Sequence, residues 1–272
     1  MKTKLTVVSM LAVMIQSAAV FAKAPATTGN PAADSLVIQG RSLVDSGYAE
    51  WKKDEMRHGY ALLQRAAIIS PDHKYADYYL SYAAYRLVTY GMATKDDNVY
   101  NEFIGQAENG TKKLDDKYPD WSEPRVLLAA IYGIKIAQSW MNAPTLGPKS
   151  NDLLEKALSI DSTNPRAYMV LGTSKLNTPA IFGGSVDKAV EYLRKAVSLF
   201  EAAGNKSRES LEPSWGYIDA LTWLGLAYEK QERYGNALAV YQKALRTDPG
   251  YARARYVLIP ELEKKISSAN NE

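Results

Sequence analysis

The residues best suited to chemistry are few in this chain. Its only histidines are His58 and His73, and it has no cysteine. His58 stands beside Gly59 in an apolar-periodic segment, and His73 follows Pro71 in a turn. Neither has a partner at metal-ligand spacing such as HExxH, so both read as surface histidines. The missing thiols remove disulfides, thiol catalysis, thiolate metal sites and a lipid-modified cysteine. Phe182-Gly183-Gly184-Ser185 is too short for a phosphate loop and lacks its Gly-Lys-Ser/Thr ending. It reads as a turn, with Ser185 capping a helix that begins near Val186. No Gly-x-Ser-x-Gly elbow occurs, and no two carboxylates can be paired from sequence. No enzyme, metal or cofactor is expected. Tyrosine stands out instead, at 19 residues against 4 phenylalanines, and it supplies ring area with a polar tip.

Charge narrows the binding chemistry. The formal net charge of +3 includes Lys2 and Lys4, which lie in a segment expected to be removed, so the mature chain is near neutral. It lacks the basic field that nucleic acids or membrane surfaces require. Lys2 and Lys4 precede an apolar stretch over residues 5–15, and small residues lead up to Ala22. This is a secretory signal pattern with a cut after Ala22. The stretch is too short to cross a hydrocarbon core of ~30 Å. Residues 23–39, rich in Ala, Pro, Thr and Gly at their start, read as a flexible leader. No later segment is apolar enough to span, so the mature chain is expected to be soluble and periplasmic.

The elements that position any site come from a repeat. Leu221, Leu224, Gly225, Tyr228, Ala237, Tyr241, Ala244 and Pro249 occupy positions 4, 7, 8, 11, 20, 24, 27 and 32 of a unit that starts at Ile218. Small residues let two antiparallel helices approach, tyrosines fill the space between pairs, and the proline stops the second helix. The same ruler finds Gly47, Gly59, Leu63, Ala66 and Pro71 in residues 40–73. It finds Leu80, Ala107, Thr111, Leu114 and Pro119 in residues 74–121, and Leu128, Tyr132, Leu154 and Ala157 in residues 122–164. Residues 165–217 supply Leu171, Gly172, Ala189, Leu193 and Ala196. This pattern resembles the tetratricopeptide repeat (TPR) at its key positions. The resemblance implies an all-α, right-handed superhelical solenoid of about five helix pairs over residues 40–251. Residues 252–272 would add a capping helix kinked at Pro260 and a tail. Insertions are expected at residues 91–100, 141–150, 177–185 and 202–216, the first three on one edge of the solenoid.

In tetratricopeptide proteins the first helix of each pair lines a concave groove. Carried onto this chain, that resemblance assigns Tyr48 and Trp51 in the first unit, and Tyr75, Tyr78, Tyr82, Tyr85 and Arg86 in the second. It adds Val126 and Ile134 in the third unit, and Met169 and Leu176 in the fourth. The positions are aromatic and aliphatic, where peptide-clamping members carry Lys, Arg and Asn. Two readings stay open: the tyrosine stripe packs as core, or it anchors an apolar ligand or extended peptide. The expected function is a non-catalytic interaction module that binds a partner protein or peptide through groove and inserts. The alternative is an accessory carrier of a small hydrophobic solute. Some periplasmic tetratricopeptide proteins resemble partners of solute-binding receptors in uptake systems, although those are typically lipid-anchored and this chain has no cysteine for an anchor.

Overall fold

The computed structural model describes residues 29–204 and 210–269, so the expected signal peptide lies outside the described residues. Ten helices form five antiparallel pairs. They are α1 (Pro31–Ala49) with α2 (Lys53–Ile69), α3 (Lys74–Thr94) with α4 (Asp97–Lys117), and α5 (Ser122–Gln138) with α6 (Ala143–Ile160). The series continues with α7 (Pro165–Asn177) and α8 (Val186–Ala203), then α9 (Tyr217–Lys230) and α10 (Tyr234–Thr247). Each pair packs on the next. The first helices α1, α3, α5, α7 and α9 also touch their neighbours in turn, so they share one inner face. The fold is an all-α helical repeat.

The repeat landmarks explain the packing. Leu63, Ala66, Ala107, Thr111, Leu154, Ala157, Ala189, Leu193, Ala196, Ala237, Tyr241 and Ala244 are all fully buried on the second helices. Each buried leucine contributes on the order of 2–3 kcal/mol. Where helices cross most closely the residue is glycine. A Cβ on Gly59 would lie 2.5 Å from the Gly40 carbonyl oxygen, and one on Gly225 would overlap the Tyr241 ring.

Three features differ from the sequence reading. Helix α1 begins at Pro31, so residues 31–39 are helix and not leader. The Asn30 side chain accepts from Ala33 N at 3.1 Å, and Pro31 is preorganised for the first turn. The insertion at residues 91–100 is absorbed by lengthening α3 and α4 around a tight turn at Lys95 and Asp96, where Lys95 is left-handed at φ 57°. Most of the insertion at residues 141–150 is likewise helix. At the C-terminal end, Ala254–Leu258 widens into a π-helical turn just before Pro260, which cannot donate to the turn behind it. The departure from regular α-helix therefore precedes the proline, and α11 (Ile259–Ala269) covers the last pair against α10.

Candidate functional site

The inner face is closed by the chain itself. The connection between α8 and α9 runs back across the first helices, and residues 210–216 lie on α1, α3 and α7. Arg41 Nη1 donates to Ser210 O at 2.7 Å, and Tyr79 Oη donates to Glu212 O at 3.1 Å. Tyr75 Oη donates to Glu212 Oε1 at 2.6 Å. Trp215 is the plug. Its ring lies 5.3 Å from Tyr82 and 6.1 Å from Tyr85, and its Nε1 donates to Tyr78 Oη at 2.8 Å. Tyr78, Tyr79 and Tyr82 are fully buried.

Two bidentate ion pairs lock the plug in place. Arg86 on α3 donates to both carboxylate oxygens of Asp219 on α9, at 3.0 and 2.6 Å, and its Nε donates to Tyr82 Oη at 2.8 Å. Its guanidinium stacks 4.1 Å above the Tyr48 ring. Arg166 on α7 donates to both oxygens of Glu123 on α5, at 2.7 and 2.5 Å. Burial opposes the charge on Arg86, but the Asp219 carboxylate outweighs it and holds the pKa well above its ordinary value. Burial raises the phenols of Tyr78 and Tyr82 well above their ordinary value and pushes Tyr79 up to about 12, against the pull of Arg41. Burial also raises Asp45, although Tyr82 donates to it at 2.6 Å.

Each expected groove residue can now be placed. Tyr78, Tyr82, Tyr85 and Arg86 gather around Trp215, Tyr48 lies under the Arg86 guanidinium, and Tyr75 packs edge-on against Trp121, so the stripe is packed by the chain itself. Val126, Met169 and Leu176 are buried in the same core, and Ile134 packs at its margin. Trp51 is not among them, because α1 ends at Ala49 and Trp51 sits in the turn to α2 at φ 58°. His73 is buried, not on the surface. Its Nδ1 accepts from Ala76 N at 3.1 Å to cap α3, and its Nε2 donates to Asp34 Oδ1 at 2.8 Å. His58 is exposed. Among the described residues no cluster of His, Asp or Glu could hold a metal, and no helix is long and apolar enough to cross a membrane.

The surface that remains open falls at two of the insertions expected from the sequence. Two short 3-10 turns, Trp140–Asn142 and Ala180–Phe182, join the helices of the third and fourth pairs. They present Trp140, Met141, Ile181 and Phe182 at 80, 73, 85 and 74% exposure. Because α5 packs on α7, the two turns lie at the same edge of adjacent pairs. Hydrogen bonds fix both. Asn142 Nδ2 donates to Lys135 O at 2.9 Å, and Lys175 Nζ donates to Gly183 O at 3.0 Å. Lys230 Nζ donates to Leu176 O at 3.0 Å, which sets a second ammonium beside the second turn. Four large apolar side chains with ammonium groups alongside suit a ligand that has an apolar face and a carboxylate rim. The signal in the sequence was Met141 and the pair Ile181-Phe182 inside insertions of successive units, with Trp140 directly before the first.

Fold and repeat together make the chain an all-α helical repeat similar to tetratricopeptide solenoids. Residues 218–251 match the tetratricopeptide repeat family model. No curated protein matches the chain. Among solved structures it is similar to the HusA haemophore from Porphyromonas gingivalis, with 27% identity, a TM-score of 0.59, and coverage of 75% of this chain and 96% of that one. It is also similar to a thermophilic TPR protein from Thermus thermophilus, with 18% identity, a TM-score of 0.56, and coverage of 87% of this chain and 100% of that one.

Proposed function

We propose that the chain is a non-catalytic periplasmic carrier that takes an amphiphilic, tetrapyrrole-like ligand at the edge formed by its third and fourth helix pairs. The observation that carries this reading is the set of four large apolar side chains, Trp140, Met141, Ile181 and Phe182, held in water on two fixed turns. Such a patch costs free energy unless something covers it. The likeness to a haemophore supports a haem-like ligand. Its ring would lie on the apolar residues, and its carboxylates would meet Lys175 and Lys230. The closed inner face argues against a peptide in the groove. With no cysteine in the chain and neither histidine on these turns, the Met141 thioether is the one iron-ligating group among the four apolar side chains, and ring contacts would supply the rest of the affinity.

The test is a titration of the mature chain with haem and with iron-free protoporphyrin, followed by absorbance and tryptophan fluorescence. Both should bind, and Trp140→Ala combined with Phe182→Ala should weaken both at least about ten-fold. Unfolding of that double variant should stay within about 0.5 kcal/mol of the parent, because both residues are exposed. Unchanged binding in the double variant, or none in the parent, would sink the carrier reading. A partner protein docking on the same edge is the second reading, favoured by the architecture. It predicts a stoichiometric protein adduct in native mass spectrometry that the double variant loses.

A further inference from the structure

The apolar edge of the third and fourth pairs is one-sided. Trp140, Met141, Ile181 and Phe182 stand out into solvent on two short turns, and no described residue closes over them. Backbone hydrogen bonds pin both turns. Asn142 N donates to Ser139 O at 3.0 Å, Phe182 N to Pro179 O at 2.9 Å, and Gly184 N to the same Pro179 carbonyl at 3.1 Å. Ser185 N donates to Lys175 O at 3.0 Å and closes the second turn. Gly184 is seated so closely there that a Cβ would collide with Thr178 O. Turns fixed in this way form a platform and do not fold over what lies on them.

A tetrapyrrole has two apolar faces, and such a platform covers only one. The second face gains as much per unit area from leaving water as the first. Resting on the carrier reading above, we infer that the ligand is held between two copies of this chain, with the turn edge of each copy covering one face. The second copy thus completes a site that a single chain leaves half open.

Symmetry, charge and area each favour this occupant. A ring with two carboxylate arms at one margin has an approximate two-fold axis in its plane, which exchanges both its faces and its arms. A closed pair of identical chains has the same symmetry, so each copy meets one face and one carboxylate. Lys175 and Lys230 suit that share. Each ammonium donates to one carbonyl and keeps N–H donors for a carboxylate oxygen. Without the ligand, the same lysines on two copies would face each other and repel. The four apolar side chains offer roughly 600 Å² per copy, at about 150 Å² each. That falls short of the ~800 Å² per partner buried in a stable interface. The ring supplies the missing surface, so the chain is a monomer alone and pairs around its ligand.

The experiment is sedimentation velocity of the full mature chain titrated with iron-free protoporphyrin, which keeps iron ligation out of the readout. A monomer is expected without ligand, and a dimer with a titration break at about half an equivalent of porphyrin per chain. Native mass spectrometry of that dimer should show two chains and one porphyrin. Trp140→Ala combined with Phe182→Ala should weaken the ligand-driven pairing at least about ten-fold. A monomer that saturates with one porphyrin per chain overturns the inference and leaves the carrier reading standing. A dimer carrying two stacked porphyrins at half an equivalent overturns it too, since the ligands then cover each other. A dimer already formed without porphyrin overturns it as well. Absence of any porphyrin binding defeats the carrier reading, and this inference with it.

Discussion

The inner face of the first helices and the turn edge of the third and fourth pairs are both rich in large apolar side chains, yet they end in opposite states. On the inner face, Tyr78 and Tyr82 have lost contact with water because Trp215 returns from a distant connection to cover them. At the edge, no described residue returns to cover Trp140 or Phe182. Residue type alone does not separate site from core. What separates them is whether another part of the chain supplies the matching surface. The inner face also shows how polar atoms are carried inward. The hydroxyls of Tyr75, Tyr78, Tyr79 and Tyr82 each have a partner, and Arg41, Arg86 and Arg166 each face a carboxylate or a carbonyl.

The contrast can be broken most strongly at Trp215. Trp215→Ala removes the plug and leaves the Tyr78 hydroxyl without its donor, so urea unfolding should show a loss of about 4 kcal/mol. Apolar dye binding should appear in the same variant, since the inner face would then be open. Asp219→Ala leaves Arg86 buried without a counter-charge and should cost about 3 kcal/mol by the same measurement. Combining it with Arg86→Met should recover most of that loss, because the pair fixes geometry more than it adds stability. The smallest effect per group is alkaline. The buried phenols ionise above their ordinary value in the folded chain, Tyr79 at about 12. The unfolded chain therefore loses these protons first, near pH 10. Stability is full below pH 10 and should fall by about 1.4 kcal/mol per pH unit for each such tyrosine as the pH rises toward 12. Tyrosinate absorbance and circular dichroism should then change together. Independent titration of Tyr79 with the helices intact would mean that the inner face is open.

Much of the architecture was legible because the repeat is a local device. Leu193, Ala237 and Tyr241 sit at positions whose burial follows from helical periodicity and pair spacing, and they are fully buried. The candidate sites were less legible. With units starting at residues 122 and 165, Glu123 on α5 and Arg166 on α7 share the second register position, but their pairing depends on how the two helices lie together. Arg86 and Asp219 are 133 residues apart, and no spacing rule joins them. The burial of His73 was hidden for the same reason, because its partner Asp34 stands on a helix that the leader-like composition obscured.

The sequence by itself determined the helix pairs, their order and the absence of thiol or clustered histidine chemistry. Those properties depend on residue type and on periods of a few residues, which act within one or two turns of chain. Only the tertiary structure decided that the aromatic stripe is interior and that the turn residues are the exposed ones. Covering a surface requires two distant segments to meet, and the path of residues 210–216 over α3 rests on pairings 137 residues apart, which no local pattern records.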